Sequence, residues 1–72
     1  MEVEEWTLED IKAMLRKGAH ERGYTIPEWE ISIMAKRAQG LTHEEIAYQE
    51  GCRRETVGRV IVRNARLWRL EV

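Results

Sequence analysis

Six arginines, Arg53, Arg54, Arg59, Arg63, Arg66 and Arg69, fall between residues 51 and 72, with two acids, Glu55 and Glu71, and no lysine. A guanidinium is a planar, permanently charged fork. It suits paired hydrogen bonds to phosphate oxygens or to a guanine edge better than an ammonium does. The first ten residues are the reverse, with Glu2, Glu4, Glu5, Glu9 and Asp10 and no base. Residues 11–50 balance Lys12, Arg16, Lys17, Arg22, Lys36 and Arg37 against Glu21, Glu28, Glu30, Glu44, Glu45 and Glu50. The net charge of -1 therefore hides a head of -5 and a tail of +4, and it is no argument against a polyanionic partner. On composition alone a solvated basic helix face explains the tail as well, so spacing has to decide.

Other chemistry is thin. Ser32 is the only serine, so no Ser-His-Asp set can be assembled, and no glycine-rich phosphate loop occurs. His20, His43 and Cys52 lack the spacing of metal ligands. The expectation is no enzyme, no metal and no cofactor. A single cysteine makes no internal disulfide, which fits a reducing cytoplasm. The apolar runs are far shorter than the roughly 20 residues needed to span a bilayer, and the acidic start is the opposite of a signal peptide. A cytoplasmic protein with no membrane partner is expected. A chain of 72 residues allows one domain, 1–72, with residues 1–7 as an acidic arm. Its core is expected to be too thin for a small-molecule effector pocket of about 300 Å³.

The elements that must position the arginines are marked at both ends. Trp6-Thr7-Leu8-Glu9-Asp10-Ile11, Tyr24-Thr25-Ile26-Pro27-Glu28-Trp29 and Leu41-Thr42-His43-Glu44-Glu45-Ile46 share one pattern. In each, a threonine can accept from the amide three residues on, an acid can reach back, and the flanking apolar pair can close as a hydrophobic staple. Gly23, Gly40 and Gly51 each follow a helical pattern and can end it in the left-handed conformation. These signals predict an all-α, four-helix domain with helices at about 8–22, 26–39, 43–50 and 54–70. Leu8, Ile11, Met14 and Leu15, and then Ile31, Met34, Ala35 and Ala38, give the first two helices apolar faces at helical spacing.

A short helix, a glycine turn and a long helix form a helix-turn-helix, expected here over residues 43–62 with the last helix entering the DNA major groove. Ile46 and Ala47 are expected where the two helices cross, Cys52 as a plug behind the turn, and Val57 and Val60 in the core. The run Gly40-Leu41-Thr42-His43-Glu44-Glu45-Ile46-Ala47, followed by Gly51-Cys52-Arg53-Arg54-Glu55-Thr56-Val57, resembles the helix-turn-helix of LuxR-type regulators and of region four of bacterial sigma factors. The resemblance covers residues 26–63 and implies a DNA-binding domain with residues 54–62 in the recognition helix. Glu50 stands where that pattern has an apolar residue, Arg53 where Ser or Thr caps the recognition helix, and Lys36 and Arg37 where the preceding helix is apolar.

Angular spacing gives an independent reading. At 100° per residue from Arg54, the positions of Gly58, Arg69, Val62, Glu55, Arg66 and Arg59 fall between 40° and 140°. Thr56, Leu67, Val60, Asn64, Val57, Trp68 and Ile61 occupy the opposite arc. Packing alone requires no such clustering of arginine. Arg54, Glu55 and Arg59 are therefore expected as readers of base edges, with Gly58 bringing the backbone close to DNA at about 1 kcal/mol relative to alanine. Val62 is placed to touch a thymine methyl group or a second subunit. Arg53, Arg63 and Arg66 are expected on phosphates, and so are Thr42 and His43 at the start of the third helix, where a solvated histidine is an equal alternative.

Leu67, Trp68 and Leu70 continue the last helix beyond its reading segment and need a cover. The first helix, through Trp6, Leu8, Ile11 and Leu15, is one option. A twofold partner matching a palindromic site is the other. The sequence thus points to a sequence-specific regulator on double-stranded DNA, of a size that would suit a phage. The alternative is a module of the same fold that docks on RNA polymerase, a sigma factor or a viral DNA-packaging machine.

Overall fold

The computed structural model describes residues 6–68, with side chains as far as Arg66. Within it the chain forms α1 (Leu8–Glu21), α2 (Glu28–Ala38), α3 (His43–Glu50) and α4 (Arg54–Trp68). It is a small all-α domain. The expected extension of the last helix to residue 70 lies outside the described residues.

Two of the three threonine signals act as caps. The Thr7 hydroxyl accepts from the Asp10 amide at 3.1 Å, and the Asp10 carboxylate accepts from the Thr7 amide at 3.1 Å. Thr42 and Glu45 repeat the arrangement, with the longer glutamate reaching the Thr42 amide at 2.9 Å. The bond from the Thr42 amide, with the Thr42 side chain adding to it, holds the Glu45 carboxyl below the usual carboxylate range.

The third signal fails. Thr25 caps nothing: α2 begins at Glu28 with Pro27 as its extended N-cap (φ −57°, ψ 145°) and no side-chain cap. A residue before proline is driven out of the helical region, so the helix cannot include Ile26. The staple moves with the cap. Ile26 and Ile31, which flank the Pro27 start as N′ and N4, pack together with Ala19, whereas the expected partner Trp29 is half exposed. Glu28 turns to Arg16 of α1, accepting at 2.8 Å on both oxygens. The Arg16 bond holds Glu28 low and raises Arg16 in turn.

Gly23, Gly40 and Gly51 take positive φ. Gly51 matters most, because it alone separates α3 from the approach to α4. At φ 70° and ψ 34° it closes α3 in the left-handed conformation, and the amides of Gly51 and Cys52 both donate to the Ala47 carbonyl. A Cβ there would meet nothing within 4 Å, so the requirement is conformational rather than spatial.

The core is organised around α2, which packs against each of the other three helices, while α3 and α4 also pack on one another. Ile33, Ile46, Ala47, Val57 and Val60 form the larger buried cluster, with Leu41, Cys52 and Ile61 against it. Ile46, Ala47, Cys52, Val57 and Val60 thus sit where their spacing put them. The first two helices depart from their expected stripes. Met14 and Ala38 are exposed, and Ile33, outside the expected stripe, is fully buried. A helix with neighbours on three sides has no single apolar face, so a one-stripe reading misses part of its core. The side chains of Leu67 and Trp68, and the whole of Leu70, for which a cover was expected, lie outside the described residues.

Candidate nucleic-acid interface

α4 has two faces of opposite character. Toward the core it buries Val57, Val60, Asn64 and Ala65, with Thr56 and Ile61 half-buried. Away from it stand Arg54, Glu55, Arg59, Val62, Arg63 and Arg66, all exposed, with Gly58 half-buried among them. Arg53, just before the helix, is exposed and supplies the carbonyl that accepts from Thr56 and Val57. Ala65 alone breaks the angular reading, since at 20° from Arg54 it is nevertheless only 4 % exposed.

The arginines differ in what holds them. Arg53, Arg59 and Arg66 make no ion pair among the described residues. Arg54 donates to Glu44 of α3 at 3.0 Å, with both side chains largely in solvent. Such a pair contributes little and exchanges readily for another anion. Arg63 turns back to Glu30 of α2 at 2.6 Å, a partner 33 residues away that the sequence reading did not foresee.

Glu30 is the unexpected member of this site. Its side chain is only 8 % exposed, and it also accepts from Asn64 Nδ2 at 2.9 Å. The second Nδ2 hydrogen goes to the Val60 carbonyl at 2.8 Å. This fixes the amide's orientation, because the reverse would set Oδ1 against two acceptors. It leaves Oδ1 buried without a donor. An asparagine on the core arc was the one visible signal that a polar partner had to face it.

A second carboxylate links α2 to α3. Glu50 accepts from Ser32 at 2.9 Å and from Lys36 at 2.5 Å. Burial pushes the Glu50 carboxyl up, but the bonds from Lys36 and Ser32 outweigh it and bring it below the usual carboxylate value. Lys36 and Glu50, both unexpected in a stretch read as apolar, therefore answer each other. Arg37, next to Lys36, stays at the surface and donates to the Leu41 carbonyl at 3.0 Å.

At the start of α3 Glu45 occupies the Thr42 amide, while the Thr42 hydroxyl accepts from the Glu45 amide and keeps its own proton to donate; His43 makes no ion pair among the described residues. His43 is half-buried, and its Nδ1 lies 4.0 Å from where a Cβ on Gly58 would stand. Beside it, Gly58, Arg59, Val62, Arg63 and Arg66 line an open hollow of about 650 Å³. Trp6, expected to pack on the last helix, borders a different hollow with Asp10, Ala13 and Met14, and its indole N–H is buried without an acceptor among the described residues.

Among the described residues no group of three His, Cys, Asp or Glu side chains is placed to hold a metal, and no helix is long and apolar enough to cross a membrane. Fold and site define a small all-α domain in which a short helix, a glycine turn and a long helix present an arginine-bearing outer face. Comparison with family models, with curated proteins and with solved structures gives no match.

Proposed function

We propose that the chain is a sequence-specific DNA-binding regulator that lays α4 in the major groove of double-stranded DNA in the cytoplasm. Homodimerisation on a palindromic site complements the reading, since one half-site offers few base contacts. The observation that carries it is the outer face of α4. Arg59 and Arg66 stand there without ion-pair partners among the described residues, opposite a face that holds the core. Arg54, Glu55 and Arg59 read base edges, Arg54 leaving its exposed contact with Glu44 to do so. Arg53, Arg63, Arg66 and His43 contact phosphates.

A gel shift across a salt series tests the reading. Affinity must fall on a log-log plot with a slope of about −0.9 for each phosphate contact. Arg59→Ala is expected to relax preference at one base position at about 1–3 kcal/mol. Arg66→Ala weakens all sequences alike and lowers the salt slope by about one contact. Salt-independent binding, or identical effects of the two substitutions across a panel of duplexes, overturns the assignment.

A protein-docking module on polymerase, a sigma factor or a packaging machine is the second reading. Met14 and Trp29, each 48 % exposed, and Tyr48, 90 % exposed, favour it. Absence of any DNA shift at low salt selects this alternative.

A further inference from the structure

We infer that the Gly58–Val62 strip on the outer face of α4 receives the 5-methyl group of a pyrimidine, so that the protein reads thymine or 5-methylcytosine at one position of each half-site. The inference rests on the DNA-binding reading of this face and names what that face selects.

Gly58 lies inside a helix, where glycine is less stable than alanine. Among the described residues nothing asks for it. Its φ is not positive, and a Cβ would find only His43 Nδ1, at 4.0 Å, an ordinary contact. The missing side chain leaves room on the outside of the helix instead. One turn on, Val62 is 46 % exposed, an apolar side chain on an otherwise charged face. Residues four apart are neighbours on a helix surface, so the two make one small apolar strip. Arg59, Arg63 and Arg66 rim the same hollow.

An apolar floor inside a cationic rim fits a ligand that is anionic overall and carries a small apolar group. In the major groove the one apolar feature a standard base pair presents is the thymine C5 methyl, and 5-methylcytosine places the same group at the same point. The rim attracts the backbone, and the missing Cβ lets the helix approach the base edge. A protein side chain as occupant would have to seat itself among guanidiniums, of which Arg59 and Arg66 have no acid partner among the described residues.

The test begins with the tightest-binding duplex selected from a random-sequence pool. Each thymine is replaced singly by uracil, which removes only the methyl group, and each cytosine by 5-methylcytosine. One position per half-site is expected to respond. Uracil there lowers affinity about fourfold, the effect of one buried methyl, and 5-methylcytosine binds about fourfold better than cytosine at the same position. Which natural base supplies the group follows from whether the selected duplex carries thymine there or gains affinity only on methylation.

In Gly58→Ala the thymine-to-uracil ratio is expected to fall to near one while the thermal midpoint rises or holds. Val62→Ala is expected to narrow the ratio as well, and it keeps the test independent of any change in helix stability. Salt-dependent binding with uracil tolerated at every thymine and no gain from 5-methylcytosine at any cytosine overturns the methyl reading and leaves DNA binding standing. An undiminished ratio in both variants also overturns it, by moving the contact away from this strip. No salt-dependent binding to any duplex overturns both readings together.

Discussion

Glu30 and Glu50 each join α2 to a neighbouring helix, but they keep their countercharges in different places. Glu50, on α3, meets Lys36 with both side chains mostly out of solvent, at 17 % and 13 % exposure. Glu30, on α2, is the more buried carboxylate at 8 %, yet its cation Arg63 is 58 % exposed on the outer face of α4. The α2–α3 junction is closed upon itself. The α2–α4 junction shares a charged group with the candidate interface, and its neutral donor Asn64 stays inside with an oxygen left unpaired. Desolvation explains why this matters: a buried carboxylate that loses one of two donors cannot recover it from water as easily as a half-buried one.

Substitution of the two cations should expose the difference. Arg63→Met is expected to lower stability by about 3 kcal/mol in urea unfolding, because it leaves a nearly buried carboxylate with Asn64 alone. Lys36→Met keeps the aliphatic stem and leaves Glu50 with Ser32 and partial access to water, so about 2 kcal/mol is expected. Equal losses would erase the contrast.

Acid sharpens it. The folded value of Glu50 lies below the 4.5 of an unperturbed glutamate, so over that interval the unfolded chain binds the extra proton. The stabilisation is complete above about pH 4.5 and is lost as pH falls through the folded value. Glu50→Gln should accordingly flatten the fall of thermal midpoint below that pH, and an unchanged acid profile would contradict the role given to this bridge. Ser32→Ala, which removes the neutral donor of the same bridge, is the smallest effect, about 1 kcal/mol by urea titration.

How much of this was legible in the sequence differs between helices for physical reasons. α4 has one buried side, so a simple angular count separated Val57, Val60 and Asn64 from Arg59 and Arg66. α2 is enclosed on three sides, and the same count lost Ile33 and misplaced Ala38. Thr7 and Thr42 cap as written because nothing downstream interferes. Thr25 carries the same local signal, but Pro27 two residues later sets the helix start and transfers the staple to Ile26 and Ile31. The pairing of Arg63 with Glu30, and of Lys36 with Glu50, joins residues far apart in the chain. No local spacing records such contacts. For the candidate site, the face was legible and the separate engagement of its arginines was not.

The division of α4 into an inner and an outer side bears on how such a molecule can change. Arg59, Val62 and Arg66 stand clear of the core, and Gly58 leaves an unused volume beside them. These positions can be rewritten together while the inner side goes on holding the helix in place. Only Arg63 serves both sides. A lineage altering what this surface selects would find it the least replaceable residue there, because every substitute must satisfy Glu30 before it satisfies anything outside.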